Sequence, residues 1–306
     1  MQGIITKSTG SWYEVLGNDG EIHNARLKGK LRLSESKNTN YLAVGDKVEF
    51  DIDIEGNSTV IHTLFPRHNY IIRKPSNLSK QEHIIAANLD QVIIMATLAQ
   101  PRTSQGFIDR ILVTAEAYRI PAFIFFNKID LYDENLTRQS RGICDMYEKI
   151  GYGCLEISLK TDVHFKEIRE LIHHKTSLIT GHSGVGKSSL LNKLKPELKL
   201  KTGEISGHSL KGKHTTTFAE MHIFDHQTCI IDTPGIKDFG LIDMEREEVS
   251  HYFPEMRNLL GQCKFSNCLH IDEPGCAVIE AVENGTIYPA RYNSYLSIIE
   301  EEETHR

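Results

Sequence analysis

Three segments of this chain carry groups suited to holding a phosphorylated nucleotide, and a fourth carries a set of metal ligands. Gly181-His182-Ser183-Gly184-Val185-Gly186-Lys187-Ser188 follows the spacing GxxxxGK[ST]. Glycines at such positions let backbone N–H groups converge on phosphate oxygens. Lys187 can then meet the β and γ oxygens, and Ser188, with Ser189 behind it, can serve Mg²⁺. Asp232-Thr233-Pro234-Gly235 offers a carboxylate that can hold Mg²⁺ through water and, at Gly235, an N–H that can sense a γ-phosphate. Asn127-Lys128-Ile129-Asp130 selects the base. The Asp130 carboxylate can accept from N1–H and the 2-amino group of guanine, where adenine has no donor at either position. Such a buried polar reader discriminates by about 10⁴ or more, because the wrong base leaves it unpaired. Asn127 and Lys128 are expected to brace the loop and pack along the base, and Ser158-Leu159-Lys160 to form a short loop whose backbone touches it.

The order of these segments is rotated. A GTPase domain ordinarily begins with its phosphate loop and reaches the base reader later, whereas here the base reader comes first. A circularly permuted GTPase, taking GTP and Mg²⁺ and releasing GDP, accounts for that order. Ile236 follows Gly235, where many GTPases carry the glutamine that orients the attacking water, and an isoleucine cannot do so. His214, in Gly212-Lys213-His214-Thr215-Thr216-Thr217, is the local candidate for that task; its plain alternative is a surface histidine in a loop. Thr215 and Thr216 suit a segment that closes over Mg²⁺ and the γ-phosphate.

Cys263, Cys268, His270 and Cys276 supply three thiolates and one imidazole, a closed tetrahedral set for one structural Zn²⁺. A small helical module with few core residues would depend on such an ion to fold. Cys144, Cys154 and Cys229 are expected to stand alone as buried, inert thiols.

Elements must hold these groups in place. Short β-like runs at 3–6, 12–16, 22–27, 47–52 and 60–64, with turn signals between them, fit a five-stranded barrel of the OB type; an SH3-like barrel would give a similar pattern. Residues 69–88 are polar and read as a linker. From 89 the pattern becomes α/β, with apolar strands at 91–98, 122–126, 154–158 and 177–180 and helices at 106–118, 136–150, 165–173 and 187–194. An antiparallel pair is expected at 218–224 and 228–232. Both nucleotide loops then fall at strand ends, where doubly wound sheets bind ligands. The implied division is a barrel over 1–68, a permuted P-loop α/β GTPase domain over 69–241 and a helical metal-binding domain over 242–306.

With 40% hydrophobic residues the composition is that of a globular protein, and no apolar run is long enough to span a bilayer. A cytoplasmic monomer without a membrane partner is expected. A net charge of −6 excludes polyanion binding by overall charge, so any RNA contact needs local basic surface. Lys195, Lys199, Lys201, Lys211 and Lys213 against Glu197 and Glu204 make one such stretch; a solvated loop is the alternative.

The barrel, the rotated GTPase motifs and the C-x4-C-x-H-x5-C set fall in one order along essentially the whole chain. In this the chain resembles the bacterial ribosome small subunit-dependent GTPase A family. The resemblance implies a late assembly factor of the small ribosomal subunit that contacts ribosomal RNA and whose slow GTP hydrolysis the small subunit stimulates. It implies guanine reading by Asn127, Lys128 and Asp130, phosphate binding over 181–189, zinc on Cys263, Cys268, His270 and Cys276, and catalysis by His214. Two rival readings remain open: a P-loop ATPase or small-molecule kinase, which Asp130 disfavours, and an RNA-binding module with a vestigial nucleotide site, which complete Lys187, Ser188 and Asp232 disfavour.

Overall fold

The computed structural model describes residues 1–10, 12–28, 41–53, 58–73, 83–202, 219–225, 227–233 and 245–304. Five strands open the chain: β1 (Gln2–Ser8), β2 (Tyr13–Gly17), β3 (Ile22–Leu27), β4 (Lys47–Asp53) and β5 (Ser58–Leu64). They run in the order β1-β2-β3-β5-β4, and β4 returns to pair with β1, so the barrel closes and leaves no free edge. Strand alternation fills it. Ile5, Val15, Ala25, Val48, Phe50 and Ile61 point inward and are fully buried, with Leu42 plugging the interior. This is the OB-type barrel, with β3 and β5 parallel.

The polar stretch read as a linker is partly structured. β6 (Tyr70–Arg73) and β7 (His83–Ala87) form an antiparallel pair whose isoleucines divide between two clusters, Ile71 and Ile85 packing with the core around β8 and Ile72 and Ile84 packing with Ala43. Asn69 and Asn88 pin its base: Asn69 Nδ2 donates to Leu89 O at 2.8 Å, and Asn88 Nδ2 donates to Gly45 O at 2.9 Å.

Six further strands build the α/β sheet: β8 (Gln91–Ala96), β9 (Ala122–Phe126), β10 (Gly153–Glu156), β11 (Thr176–Thr180), β12 (Glu220–Ile223) and β13 (Cys229–Asp232). Their order is β10-β9-β8-β11-β13-β12, parallel except for β12, which is antiparallel to β13 as the sequence implied. β8 is buried along its whole length because both faces are covered. Val92, Ile94 and Ala96 meet the helices Gln105–Ala117 and Glu134–Ile150. Ile93 and Met95 meet Phe165–Ile172 and Lys187–Leu194 on the other face. β12 also pairs with β1, joining barrel and sheet at Lys7↔Glu220, where the two side chains form an ion pair at 3.3 Å.

Cys144 and Cys154 do not stand alone. Packing of the Glu134–Ile150 helix on β10 brings their sulfurs to 2.7 Å, both buried.

Beyond residue 245 the chain is helical, ending in Pro289–Thr304. Val249, Phe253, Met256, Val278, Ile287, Tyr295, Ile298 and Ile299 form a core of their own, into which Val113 of the Gln105–Ala117 helix inserts. Under that contact lies a buried charge cluster. Arg291, fully buried, donates to Asp109 Oδ1 at 2.6 Å and to Glu255 Oε1 at 2.7 Å. Asp109 also accepts from Ser294 Oγ at 2.5 Å and Tyr147 Oη at 2.8 Å, while the guanidinium lies 4.6 Å from the centre of the Phe253 ring. The coulombic attraction of Asp109 and Glu255 holds the Arg291 guanidinium charged against the opposing cost of its burial.

Candidate nucleotide site and metal centre

β11 ends at Thr180 and the phosphate loop begins at once, opening the Lys187–Leu194 helix. The glycines are there for geometric reasons. Gly181, at φ 143°, runs so close to β8 that a Cβ would sit 2.2 Å from Met95 O. Gly186, at φ 112°, leaves no room for a Cβ beside Asn127 Nδ2, 2.3 Å away. Gly184 and Ser183 are exposed at the loop's rim, and Val185 is buried beneath it. Lys187 Nζ points into the loop, donating to Gly181 O at 2.6 Å and His182 O at 3.0 Å. Burial lowers the lysine's pKa, a cost that nearby Asp232 opposes. His182 stacks on Phe107 with ring centres 3.9 Å apart. Ser188 and Ser189 lie half-buried in the first helical turn.

The segment Asn127-Lys128-Ile129-Asp130, expected to read the base, follows β9 directly. Asn127 is 3% exposed and serves both loops: its Nδ2 donates to Val185 O at 2.8 Å, and its Oδ1 accepts from Leu159 N at 3.3 Å. Tyr132, which sequence reasoning passed over, donates to Asn127 O at 3.3 Å and accepts from Leu98 N at 2.9 Å. Lys128 sits in the left-handed region at φ 68° and its Nζ donates to Gln100 O at 2.8 Å. That bond ties the 97–104 loop to Lys128. Burial lowers the Lys128 pKa, with Asp130 opposing. Ser158, almost fully buried, donates to Asp130 Oδ1 at 2.8 Å and accepts from Thr161 N at 3.2 Å. Lys160 is exposed at the loop's edge.

Asp232 ends β13 beside the phosphate loop. Its Oδ1 is buried with no hydrogen-bond partner among the described residues, and burial pushes the carboxyl up to about 6 despite nearby Lys187. An orphaned buried carboxylate oxygen next to a phosphate loop fits a divalent cation. Ser188 and Asp232 would hold a Mg²⁺ here, an ion that when bound would neutralise charge on phosphate oxygens. His214, Thr215, Thr216 and Gly235, together with Lys211 and Lys213, lie outside the described residues. Lys195 is no free loop cation: its Nζ donates to Ile223 O at 2.6 Å.

The fourth set of residues converges as the spacing implied. One ligand atom from each of Cys263, Cys268, His270 and Cys276 lies within 4.8 Å of all the others. Cys263 Sγ is 3.9 Å from Cys276 Sγ, and His270 Nδ1 is 3.5 Å and 3.3 Å from these two sulfurs. Tetrahedral coordination at Zn–S of about 2.3 Å and Zn–N of about 2.0–2.1 Å requires edges of about 3.8 Å and 3.5 Å, so the cluster has the dimensions of a metal site. Its loop is independently held. Glu273 accepts from Leu269 N at 2.6 Å and Ile271 N at 2.9 Å, bonds that hold its carboxyl at about 2 against the cost of partial burial. Tyr292 and Tyr295 of the last helix donate to His270 O and Leu269 O, each at 2.6 Å.

With this geometry in place, comparison with known proteins is direct. The family profile described as "RsgA GTPase" matches residues 64–242, and that described as "RsgA N-terminal domain" matches residues 2–60. A "Small ribosomal subunit biogenesis GTPase RsgA" of Cytophaga hutchinsonii is 52% identical over 307 residues, covering 100% of both chains. A relative of the same name from Christiangramia forsetii is 50% identical over 305 residues, 99% of this chain and 97% of that one. Among solved structures, YjeQ from Thermotoga maritima is 38% identical with a TM-score of 0.78, covering 98% of this chain and 97% of that one. YloQ, described as a circularly permuted GTPase, is 29% identical with a TM-score of 0.75, covering 100% and 96%.

Proposed function

This chain belongs to the RsgA GTPase family, and from that premise we propose that it hydrolyses GTP to GDP and phosphate as a late factor in small ribosomal subunit assembly, binding rRNA and activated by the small subunit. The observation that carries the reading is Asn127, whose single amide ties the phosphate loop at Val185 to the Ser158–Lys160 loop at Leu159. That bridge supports one continuous nucleotide site built from segments in rotated order. In this reading Asp130 accepts from the guanine edge and Ser158 orients its carboxylate. Lys187 and the loop N–H groups of 181–186 bind the phosphates, and Ser188 and Asp232 hold Mg²⁺. His214 positions the attacking water, Thr215 and Thr216 close the site, and Gly235 senses the γ-phosphate.

The Cys263, Cys268, His270 and Cys276 set binds one Zn²⁺ in a structural role, since four protein ligands leave no open position. The division 1–68, 69–241 and 242–306 assigns the barrel, the GTPase and the zinc module. The protein acts in the cytoplasm as a monomer without a membrane partner; no described helix is long and apolar enough to cross a bilayer. Against a vestigial site stands Lys187, held inside the loop near Asp232, whose Oδ1 has no hydrogen-bond partner among the described residues.

The test is GTP turnover alone, with small subunits and with large subunits. Turnover alone should be slow, on the order of 10⁻⁴–10⁻² s⁻¹, and small subunits alone should raise it strongly. Fast hydrolysis indifferent to small subunits refutes the assembly role.

A further inference from the structure

Lys193 lies in the last turn of the Lys187–Leu194 helix, which the phosphate loop opens, and nothing in the reading above uses it. Its Nζ donates to Leu159 O at 2.5 Å, pairs with the Asp162 carboxylate and lies 5.2 Å from the centre of the Phe165 ring. We infer that Lys193 is a positioning residue for guanine recognition, fixing the peptide between Leu159 and Lys160 so that the loop backbone meets the base carbonyl in one orientation. The inference rests on the proposal that residues 158–160 contact guanine.

A trans peptide is planar, so the Leu159 carbonyl and the Lys160 N–H point in opposite directions. Holding the carbonyl on an ammonium therefore sets the heading of the amide. Elsewhere the loop is tied by residues that already belong to the site: Leu159 N to Asn127, and Ser158 Oγ to Asp130 and Thr161 N. Lys193 adds the tie on the side of the phosphate-loop helix. Asp162, in the left-handed region at φ 61° that Asp tolerates, pairs its carboxylate with the Lys193 ammonium. Without that ammonium the peptide samples other headings. Affinity for a base bearing a carbonyl at position 6 then falls by the fraction of time the competent heading is lost. Guanine and hypoxanthine carry that carbonyl, whereas adenine carries an amino group there.

The experiment measures dissociation constants of the full-length protein for GDP, IDP and ADP by calorimetry, with melting temperatures alongside. Lys193→Met keeps the aliphatic stem on Phe165 and removes the donor; Lys193→Arg keeps a donating cation. Lys193→Met should weaken GDP and IDP by the same factor, about tenfold for loss of a charged hydrogen bond. It should leave the already weak ADP affinity unchanged while lowering the melting temperature by a few degrees at most, and Lys193→Arg should recover most of the loss. Unchanged GDP and IDP affinity in Lys193→Met overturns the inference. So does an equal loss for all three nucleotides with a lowered melting temperature, which marks a merely structural role. Asp130→Asn, run in parallel, removes the acceptor for the 2-amino group, which IDP lacks, and should collapse the GDP-to-IDP preference. If that preference survives, the base assignment itself fails, whatever Lys193→Met does.

Discussion

Replacing Asp232 by Asn should stabilise the nucleotide-free protein while abolishing its hold on Mg²⁺ with GTP. Asp232 Oδ1 is buried without a partner among the described residues, and its nearest strand neighbour across β12 is another acid, Glu220. Burial raises the carboxyl from its ordinary 3.8 to about 6, with Lys187 only partly opposing. A folded-state pKa above the unfolded one means that ionisation costs stability. The cost is absent below about pH 4, where both states are protonated, grows as pH rises, and is complete above about pH 6. At one pKa unit per 1.36 kcal/mol the full cost is about 3 kcal/mol. Asparagine leaves an amide that also lacks partners, an offset of about 1–2 kcal/mol that does not vary with pH. The net gain at pH 7.5 is therefore about 1–2 kcal/mol, and the dependence on pH carries the full 3. Urea unfolding of both proteins between pH 4 and 7.5, free of Mg²⁺ and nucleotide, measures the difference. The same proteins titrated with GTP and Mg²⁺ should show binding lost in the variant. A stability difference that stays flat across that pH range would refute the reasoning, because the destabilisation would then not come from the carboxylate's charge.

Two further outcomes follow from the same geometry. Arg291→Met leaves Asp109 as a buried, uncompensated carboxylate and should cost about 3–5 kcal/mol, read as a lower melting temperature and faster proteolysis beyond residue 245. Asp109→Asn combined with Arg291→Met should recover part of the loss, as a double-mutant cycle would show. His270→Ala should release the metal ion, measured by elemental analysis, and loosen the 263–276 loop while GDP affinity stays within about twofold, because the ligands lie outside the α/β sheet. Loss of GDP binding in that variant would mean that the metal module is part of the nucleotide site.

Local spacing made the loops legible. A phosphate loop, a base reader and a Cys/His set each announce themselves within fourteen residues, and the strands that deliver the first two are short apolar runs. What sequence reading missed depends on partners far apart in the chain. Arg291 sits in a helix rich in Glu and Tyr and belongs to no motif. Its burial follows only from Asp109, 182 residues earlier, and from the apolar faces that close over the pair. Cys144 and Cys154 read as unrelated thiols because the turn between helix and strand decides whether they meet. Tyr70–Arg73 and His83–Ala87 are hidden by the polar residues around them, since four or five residues whose adjacent isoleucines are all buried show no alternation to separate a strand from a linker. Lys193 carried no motif, and its meaning came from the carbonyl it touches.

Ribosomes make this chain from its N-terminus, and the rotated order decides which sheet edge waits in the open. β8, β9 and β10 can pair as soon as they emerge. The other side of β8, an apolar strand, has no neighbour until β11 appears about 80 residues after β8 is made. At about 5–20 residues per second the delay is roughly 4–16 s. For that interval the nascent protein presents the kind of unpaired edge that recruits foreign strands. GTP cannot shorten the wait, since the phosphate loop is the segment that follows the missing strand. A GTPase in the ordinary order synthesises its phosphate loop first and can dock ligand around the earliest strands. In this chain the phosphate loop is made only after β11, so nucleotide gives the open β8 edge no protection during synthesis.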